Sequence, residues 1–389
     1  MCFRIHTYTT LSFLHNQKAT PQSNMSSHEK KILVVLGATG NQGGSVVRAF
    51  LNDTTLSSYW HVRGVTRNPS SESAVKLSKL RAEMVSASLG SVSELKSAFE
   101  DATAIFAVTD FWSAIKTEEV KHRVQSEEID LAIATRDLEE TWGRNIATAA
   151  AEIPTLESFV FSSLPPVSQL SQGKLKHVHH FDGKANVLQY IRQEHPTLWA
   201  KTSQILVGFY NSNILPDSYF GPKFNPVTGK VEFEGPVSDD NLIPFIDASS
   251  STGHFVRALV LDAPAGTILA AYDEMKSLGE CVEFLRRETG RDFVFVQRNV
   301  EEMAAEPPLG REAPESWVWL AEYGLFGEKV EEWKQLLTLP GGLENRIRTV
   351  KVDEWLSALD WSKASAYTQT NKSNMRFIFD CLADFSRHI

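Results

Sequence analysis

Three glycines recur at every third position in the stretch KILVVLGATGNQGGSVV, residues 31–47: Gly37, Gly40 and Gly43, with Gly44 adjoining. Glycines at this spacing let a turn of backbone come close to a bulky anion with no side chain in the way. Five apolar residues precede the turn, Ile32 to Leu36, as in a strand buried on both faces of a parallel sheet. Val46, Val47, Phe50 and Leu51 follow at helical spacing. A strand, a glycine turn and a helix in succession present free N–H groups and a partial positive charge to a pyrophosphate. The pattern is G-x-x-G-x-x-G, a variant of the G-x-G-x-x-G dinucleotide signature. A dinucleotide cofactor is the ligand it predicts.

The second chemical signal is Arg67. A strand over His61 to Thr66 ends in Thr66-Arg67-Asn68-Pro69, and no Asp or Glu lies between Trp60 and Ser71. An acidic residue at this strand end would hold the ribose 2′-hydroxyl of NAD, whereas an arginine can hold the 2′-phosphate of NADP. The position therefore predicts NADP; the plainer alternative is a surface arginine before a proline. His177, His179 and His180 have the residue type of a metal site. Only Asp182 lies near enough to complete one, so no metal is expected.

The elements that must hold these residues alternate along the chain. A third strand is expected near Glu83 to Ala87, and Ser91 with Glu94 forms a capping-box pattern opening a helix through Phe99. A fourth strand, Ala104 to Val108, ends at Thr109-Asp110-Phe111-Trp112, on the carboxyl edge where doubly wound sheets bind ligands. Phe111 and Trp112 either flank a cofactor ring or pack in the core or a lid. Residues from Lys116 to Ile153 are mostly helical in composition, with a charge-rich middle, Gln125 to Thr141. Strands follow at Ser158 to Ser162 and Ile205 to Phe209, separated by a helix over Phe181 to Gln193. Further on, the patterns predict helices over Gly253 to Leu261, Asp273 to Thr289, Glu315 to Tyr323 and Val352 to Leu359. Strands are expected at Thr267 to Ala271 and Phe293 to Val296, and a helical tail over the last 28 or so residues. Trp317 and Trp319 suggest packing or a pocket wall.

The fold class expected is α/β: a Rossmann-type doubly wound parallel sheet with a smaller mixed α/β substrate lobe. The cofactor domain is expected over 29–215 and the smaller lobe with its tail over 216–389, with re-entry into the first domain around 244–271. Residues 1–28 hold no acidic residue and many hydroxyls; a disordered tail is the expectation and a mitochondrial presequence the alternative. A net charge of -9 argues against a nucleic-acid-binding face. Cys2, Cys281 and Cys381 lie too far apart in sequence for a visible disulfide framework or zinc spacing, which fits a reducing, cytoplasmic setting, with nuclear access left open. No apolar run approaches a membrane span.

Several stretches together resemble the NmrA-like family, atypical members of the short-chain dehydrogenase/reductase superfamily: Gly37-Ala-Thr-Gly-Asn-Gln-Gly-Gly-Ser45, Val65-Thr-Arg-Asn-Pro69, His180-Phe-Asp-Gly-Lys184, Gly208-Phe-Tyr-Asn211 and Pro244-Phe-Ile-Asp247. The likeness spans Lys31 to Gly310. It implies an NADP-binding Rossmann domain and a lobe closing over a cleft. Carried over by position, the phosphate turn is Gly37, Ala38, Thr39, Gly40, Asn41 and Gln42. The 2′-phosphate grip is Arg67 with Asn68, Pro69, Ser70 and Ser71. Ser88 and Leu89 end the third strand, and Thr109, Asp110 and Phe111 the fourth. Lys121 and Lys184 match cofactor-contacting lysines, and Phe209, Tyr210, Asn211 and Ser212 match a loop beside the nicotinamide. At Ser88-Leu89 relatives often carry an acidic or amide residue.

Reductases of the wider superfamily place a tyrosine acid four residues before a lysine, a spacing that puts both on one helix face. Here the lysine is Lys184 and the residue four before it is His180. Imidazole can give a proton to a carbonyl that receives hydride, although a nearby lysine cation opposes its protonation. The alternative is a histidine that packs at a helix start. Ser163 stands where the superfamily often has a substrate-orienting serine; it is otherwise a turn serine. Two functions follow from the resemblance. One is NADP(H)-dependent reduction of a small carbonyl, enone or imine, with a fungal-type biosynthetic pathway as the setting. The other is a non-catalytic redox sensor that acts through a regulatory protein partner.

Overall fold

Eight parallel strands make the sheet that carries the site: β1 (Lys31–Val35), β2 (Trp60–Thr66), β3 (Glu83–Ser86), β4 (Ala102–Ala107), β5 (Ser158–Ser163), β6 (Thr202–Val207), β7 (Ile268–Ala271) and β8 (Leu337–Thr338). Their order is β8-β7-β6-β5-β4-β1-β2-β3, seen in a computed structural model that describes residues 30–215, 218, 220–306, 309–340 and 349–359. The tail expected over 1–28 and the C-terminal helical tail lie outside the described residues. The order reverses at β1, whose neighbours are β2 and β4, with Leu33 level with both Val62 and Ala104. That reversal is the topological switch point, where crossovers leave in opposite directions and a crevice opens beyond the strand ends.

The apolar run of β1 works as its pattern requires. Leu33 and Val35 face one side and pack with Val46, Val47 and Phe50 of α1 (Asn41–Leu51). Val34 and Leu36 face the other side and pack with Leu95, Ile146 and Val187. The last three belong to helices α2 (Val92–Ala98), α3 (Leu131–Ala151) and α4 (His179–Glu194). A sheet covered on both faces explains why its strands read as continuous apolar runs. On the first face α5 (Thr252–Leu261) packs on α1, with Phe255 and Val256 in the same core. A second core gathers the C-terminal segments around Phe233, Phe284 and Trp319, including α6 (Glu312–Tyr323).

Four expectations change in detail. The stretch from Lys116 to Ile153 is two helices, Glu118–Glu127 and α3. Glu128 at φ 53° ends the first, and Asp130 starts the second by accepting from Ala132 N (2.7 Å) and Ile133 N (3.3 Å). At α2, Ser91 accepts from Glu94 N at 3.3 Å, but the Glu94 carboxylate turns to Ser88 N at 2.9 Å, so only half the capping box forms. The helix expected over Asp273 to Thr289 begins later. Glu274–Ser277 is a strand antiparallel to Leu242–Ile246, and the helix is Leu278–Thr289, opened by a full capping box between Ser277 and Glu280. The sixth strand stops at Val207; Phe209–Tyr210 pairs with Phe245 and Ile246 in a separate sheet.

Asp273 ties that second sheet to α5. Its Oδ2 accepts from Asp247 N at 2.9 Å and from Ser251 Oγ at 2.8 Å. Burial pushes the carboxyl from 3.8 up to about 6. The sign follows from proton uptake: between these values the folded chain keeps a proton that the unfolded chain releases. The penalty for the buried charge is therefore absent below pH 3.8, grows as pH rises to about 6, and stays constant above it. Asp273→Asn should melt increasingly above wild type as pH is raised from 4 to 6.5. A melting difference that stays flat over that interval would refute this account of the buried carboxyl.

Candidate functional site

The site begins at the open end of α1. Gly37 takes φ +60°, which reverses the chain directly after β1, and Gly40 caps the helix without a side chain. The first turn of α1 holds no acidic residue and its N–H groups have no side-chain cap. Gly43 is fixed by space: a Cβ there would sit 2.3 Å from Gly37 O. On its far side α1 meets α5 just as closely, since a Cβ on Gly253 would lie 2.2 Å from Ser45 O. The helix end is wedged against its turn and stays bare toward the cleft, the arrangement that suits an anion.

One cleft of about 850 Å³ runs from this helix end across the strand termini. Thr39, Gly40, Asn41 and Gln42 line it, as does Arg67 at the end of β2. Ala38 faces away into the core. Asn68, Pro69, Ser70 and Ser71 do not line the cleft; Asn68 Oδ1 holds Ser70 N (3.0 Å), and Ser71 Oγ caps the next helix through Ala74 N (3.3 Å). Ser88, Leu89, Thr109, Asp110 and Phe111 line the middle. Among the described lining residues Asp110 is the one carboxylate. It is engaged in capping, with Trp112 N at 3.0 Å and Ser113 Oγ. Lys116, Lys121 and Arg67 make the rim cationic; Lys121 also pairs with Glu118 at 2.7 Å. At the other end the walls are His180, Phe181, Phe209, Tyr210, Trp112 and Trp317, with Ser163 and Ser212 beside them. β5 runs one residue further than expected and takes in Ser163 as its last residue, whose Oγ donates to Leu164 O at 3.3 Å.

Tyr210 is joined to the glycine turn. Gln42 Nε2 donates to its hydroxyl at 2.6 Å, and Ser162 Oγ donates to Gln42 Oε1 at 2.7 Å. Burial pushes the Tyr210 phenol up to about 12, against the Gln42 hydrogen bond, so it stays un-ionised. Asn211 lies behind this loop: its side-chain amide is buried with no partner among the described residues, and it does not line the cleft.

Lys184 is placed by close packing of α3 on α4. A Cβ on Gly143 would lie 2.4 Å from Val187 Cγ2, and one on Gly183 would lie 3.0 Å from Arg136 Cγ. This approach sets Glu139 of α3 against Lys184. The ammonium donates to Glu139 Oε1, to Thr109 O at 3.0 Å and to Thr109 Oγ1 at 3.0 Å. Its three protons thus have three protein acceptors. Glu139 also accepts from Thr109 Oγ1 at 2.8 Å and is 1% exposed. The lysine charge that was expected to bear on His180 is therefore balanced within the protein.

His180 has a carboxylate partner of its own. Glu312, the first residue of α6, receives His180 Nδ1, His180 N (3.2 Å) and His179 N (2.9 Å). One turn on, Glu315 receives Lys176 N and His177 N, both at 2.9 Å, and His177 Nδ1 at 2.7 Å. Glu312 and Val178 O, which takes Phe181 N and Asp182 N, thus satisfy the start of α4, while Glu315 holds the segment ahead of it. Burial lowers the pKa of His179, against the pull of Glu312, and so keeps it neutral. Glu139 and Glu312 escaped sequence reading because they meet their partners across 45 and 132 residues. The only sign of Glu139 was a carboxylate within the charge-rich middle of a helix.

Among the described residues no group of three or more His, Cys, Asp or Glu is arranged for a metal ion, and no helix is long and apolar enough to cross a membrane. Known proteins match over most of the chain. An NmrA-like family domain-containing oxidoreductase of Aspergillus campestris, cpsB, is 26% identical over 283 residues, 70% of this chain and 77% of its own. Another, FrzB of Cladobotryum sp., is 28% identical over 273 residues, 67% and 74% of the two chains. Among solved structures, NmrA, a negative transcriptional regulator, in complex with NADP, aligns with a TM-score of 0.60 at 20% identity over 86% of this chain and 100% of its own. An NADPH-dependent quinone oxidoreductase of Escherichia coli complexed with NADPH gives 0.56 at 16% identity over 84% and 98%. These likenesses carry the fold. The model of the NmrA-like family matches residues 29–369, and the chain belongs to that family.

Proposed function

We propose that this chain is an NADP(H)-dependent oxidoreductase that reduces a small organic carbonyl, enone or imine. The observation that carries the proposal is that one cleft joins both features: an uncapped helix end and Arg67 lie at one end, and a histidine held by a carboxylate stands among aromatic walls at the other. The bare first turn of α1, held close against the Gly37 bend by the lack of a side chain at Gly43, suits a pyrophosphate, and Arg67 suits a 2′-phosphate. The relatives solved with NADP and NADPH support that choice of cofactor.

Bound NADPH supplies the hydride. The chain's part is to orient the acceptor among the rings, exclude water and deliver a proton. His180 would give that proton to the acceptor's oxygen or nitrogen, breaking its own N–H bond, and solvent would reprotonate the ring after the product leaves. Lys184 serves in a charge-balanced buried unit with Glu139 and Thr109, which holds the end of β4 against α3 and α4. The fungal origin of cpsB and FrzB supports a biosynthetic setting.

A dinucleotide titration tests the reading. Arg67→Ala should weaken NADPH by about 1.5–3 kcal/mol, the range for a hydrogen bond to a charged group, and leave NADH unchanged. Equal loss for both cofactors would remove the 2′-phosphate grip. A carbonyl, enone and imine panel should show substrate-dependent NADPH oxidation that His180→Ala suppresses.

The second reading, a dinucleotide-dependent regulator, has its own observation: the lysine protons that would meet a ribose are already engaged. It requires binding of a protein partner to change between NADP and NADPH with no turnover. Pull-downs indifferent to the dinucleotide would eliminate it.

A further inference from the structure

Resting on that reading, we infer that Glu312 is the positioning residue for His180, fixing which ring nitrogen faces the acceptor. The assignment begins with hydrogen-bond bookkeeping. An ionised carboxylate only accepts, so the ring nitrogen that meets it must carry a hydrogen. His180 Nδ1 is therefore the N–H side of the ring, and Nε2 is the nitrogen left to the cleft that His180 lines. In the neutral imidazole Nε2 accepts a proton; in the imidazolium it donates one.

The carboxylate is built into its place. Glu312 is 1% exposed and stands in the first turn of α6, facing the first N–H groups of α4. Two helix N-termini thus favour negative charge at one point. The ring is confined on its other sides. Phe181 meets it edge-on at 4.6 Å and 78°, and Trp112 and Phe111 close in at 5.8 and 5.9 Å. An imidazole held in this way is set for a directed proton transfer. The Nε2–H bond breaks, an O–H bond forms on the acceptor, and the neutral ring keeps its Nδ1 hydrogen on Glu312. The carboxylate itself gains no proton, as in other carboxylate–histidine pairs.

Glu315 offers an internal comparison. It caps the segment ahead of α4 in the same manner and binds His177, which does not line the cleft. A purely structural role for Glu312 would make the two carboxylates equivalent. The test compares Glu312→Gln, Glu312→Asp and Glu315→Gln by two readouts: steady-state NADPH oxidation and the ring ¹⁵N spectrum of His180. Glu312→Gln should lower kcat by about a hundredfold, the scale of a misplaced general acid, with NADPH binding unchanged. With the ring neutral, its spectrum should move from a single Nδ1–H form to a mixture of tautomers. Glu312→Asp should recover part of the rate, and Glu315→Gln should stay within about threefold of wild type. A Glu312→Gln ring spectrum like that of wild type, or an equal loss in Glu315→Gln, would overturn the assignment. If Glu312→Gln does not fold, the wild-type spectrum decides, recorded at a pH high enough for the ring to be neutral: a neutral ring with its hydrogen on Nε2 overturns the inference and one with it on Nδ1 supports it. Because the ring spectrum needs no turnover, failure of the oxidoreductase reading would show separately, as wild type that oxidises no NADPH.

Discussion

Gly43→Ala should abolish dinucleotide binding and destabilise the fold. The added Cβ would lie 2.3 Å from Gly37 O, 2.6 Å from Gly37 C and 2.8 Å from Leu36 O. All three are backbone atoms, so no side chain can rotate out of the way. Retreat of α1 is blocked from behind, where the Gly253 position presses on Ser45 O and Ala49 Cβ. Forced overpacking of this kind costs about 3 kcal/mol. Any relief moves the N–H groups of the first turn relative to the Gly37 bend, the one geometric relation a pyrophosphate would test. NADPH affinity should fall by at least about a hundredfold, or about 2.7 kcal/mol. Urea denaturation and fluorescence titration measure the two effects. Gly90→Ala is the control, since its Cβ would meet nothing nearer than Ser88 Oγ at 3.5 Å. An alanine at 43 that binds NADPH normally would show that the turn is not the phosphate seat.

The second large effect concerns Lys184. Lys184→Met leaves Glu139 buried with Thr109 Oγ1 as its remaining partner in this group, and Glu139 Oε2 already lacks one. Removing one member of a buried ion pair costs about 3–5 kcal/mol, because the survivor's charge stays out of water without compensation. Glu139→Gln added to Lys184→Met should restore much of the loss, giving a coupling of about 2 kcal/mol or more in a denaturation cycle. Simple additivity would mean that the pair is not the buried unit described. The cycle also bears on binding. Since the ammonium is committed to protein acceptors, the double variant should hold NADPH nearly as well as wild type. A large loss would assign the lysine to the cofactor.

Local rules carried the sequence reading a long way. Ile32 to Leu36, the glycine spacing and the apolar stripe of α1 are each decided by neighbours within a few residues, and so were legible. The place of Arg67 on the cleft was legible too, because the end of a strand is a defined place on the sheet's edge. Trp317 was flagged for either role and proved to be a cleft wall, while Trp319 is fully buried and donates Nε1 to Leu325 O at 3.1 Å. Two kinds of feature were not legible. Glu274–Ser277 is a strand made by pairing with Leu242–Ile246, and its sequence, EMKS, carries no alternation of its own. Glu139 and Glu312 are ordinary helix glutamates until folding brings Lys184 and His180 to them. Their roles follow from tertiary contact, which no short window contains.

The contrast between the two helix starts that meet the cleft has a directional consequence. One is bare, and the other is stoppered by the chain's own Glu312. Only the bare one can greet a diphosphate; the stoppered one would repel it. On the proposed reading, a two-headed ligand lying across the strand ends would be held in one polarity. Its adenosine head would lie toward Arg67 and its reactive head toward His180, and reversal would carry the 2′-phosphate away from Arg67 to the end that Glu312 makes negative.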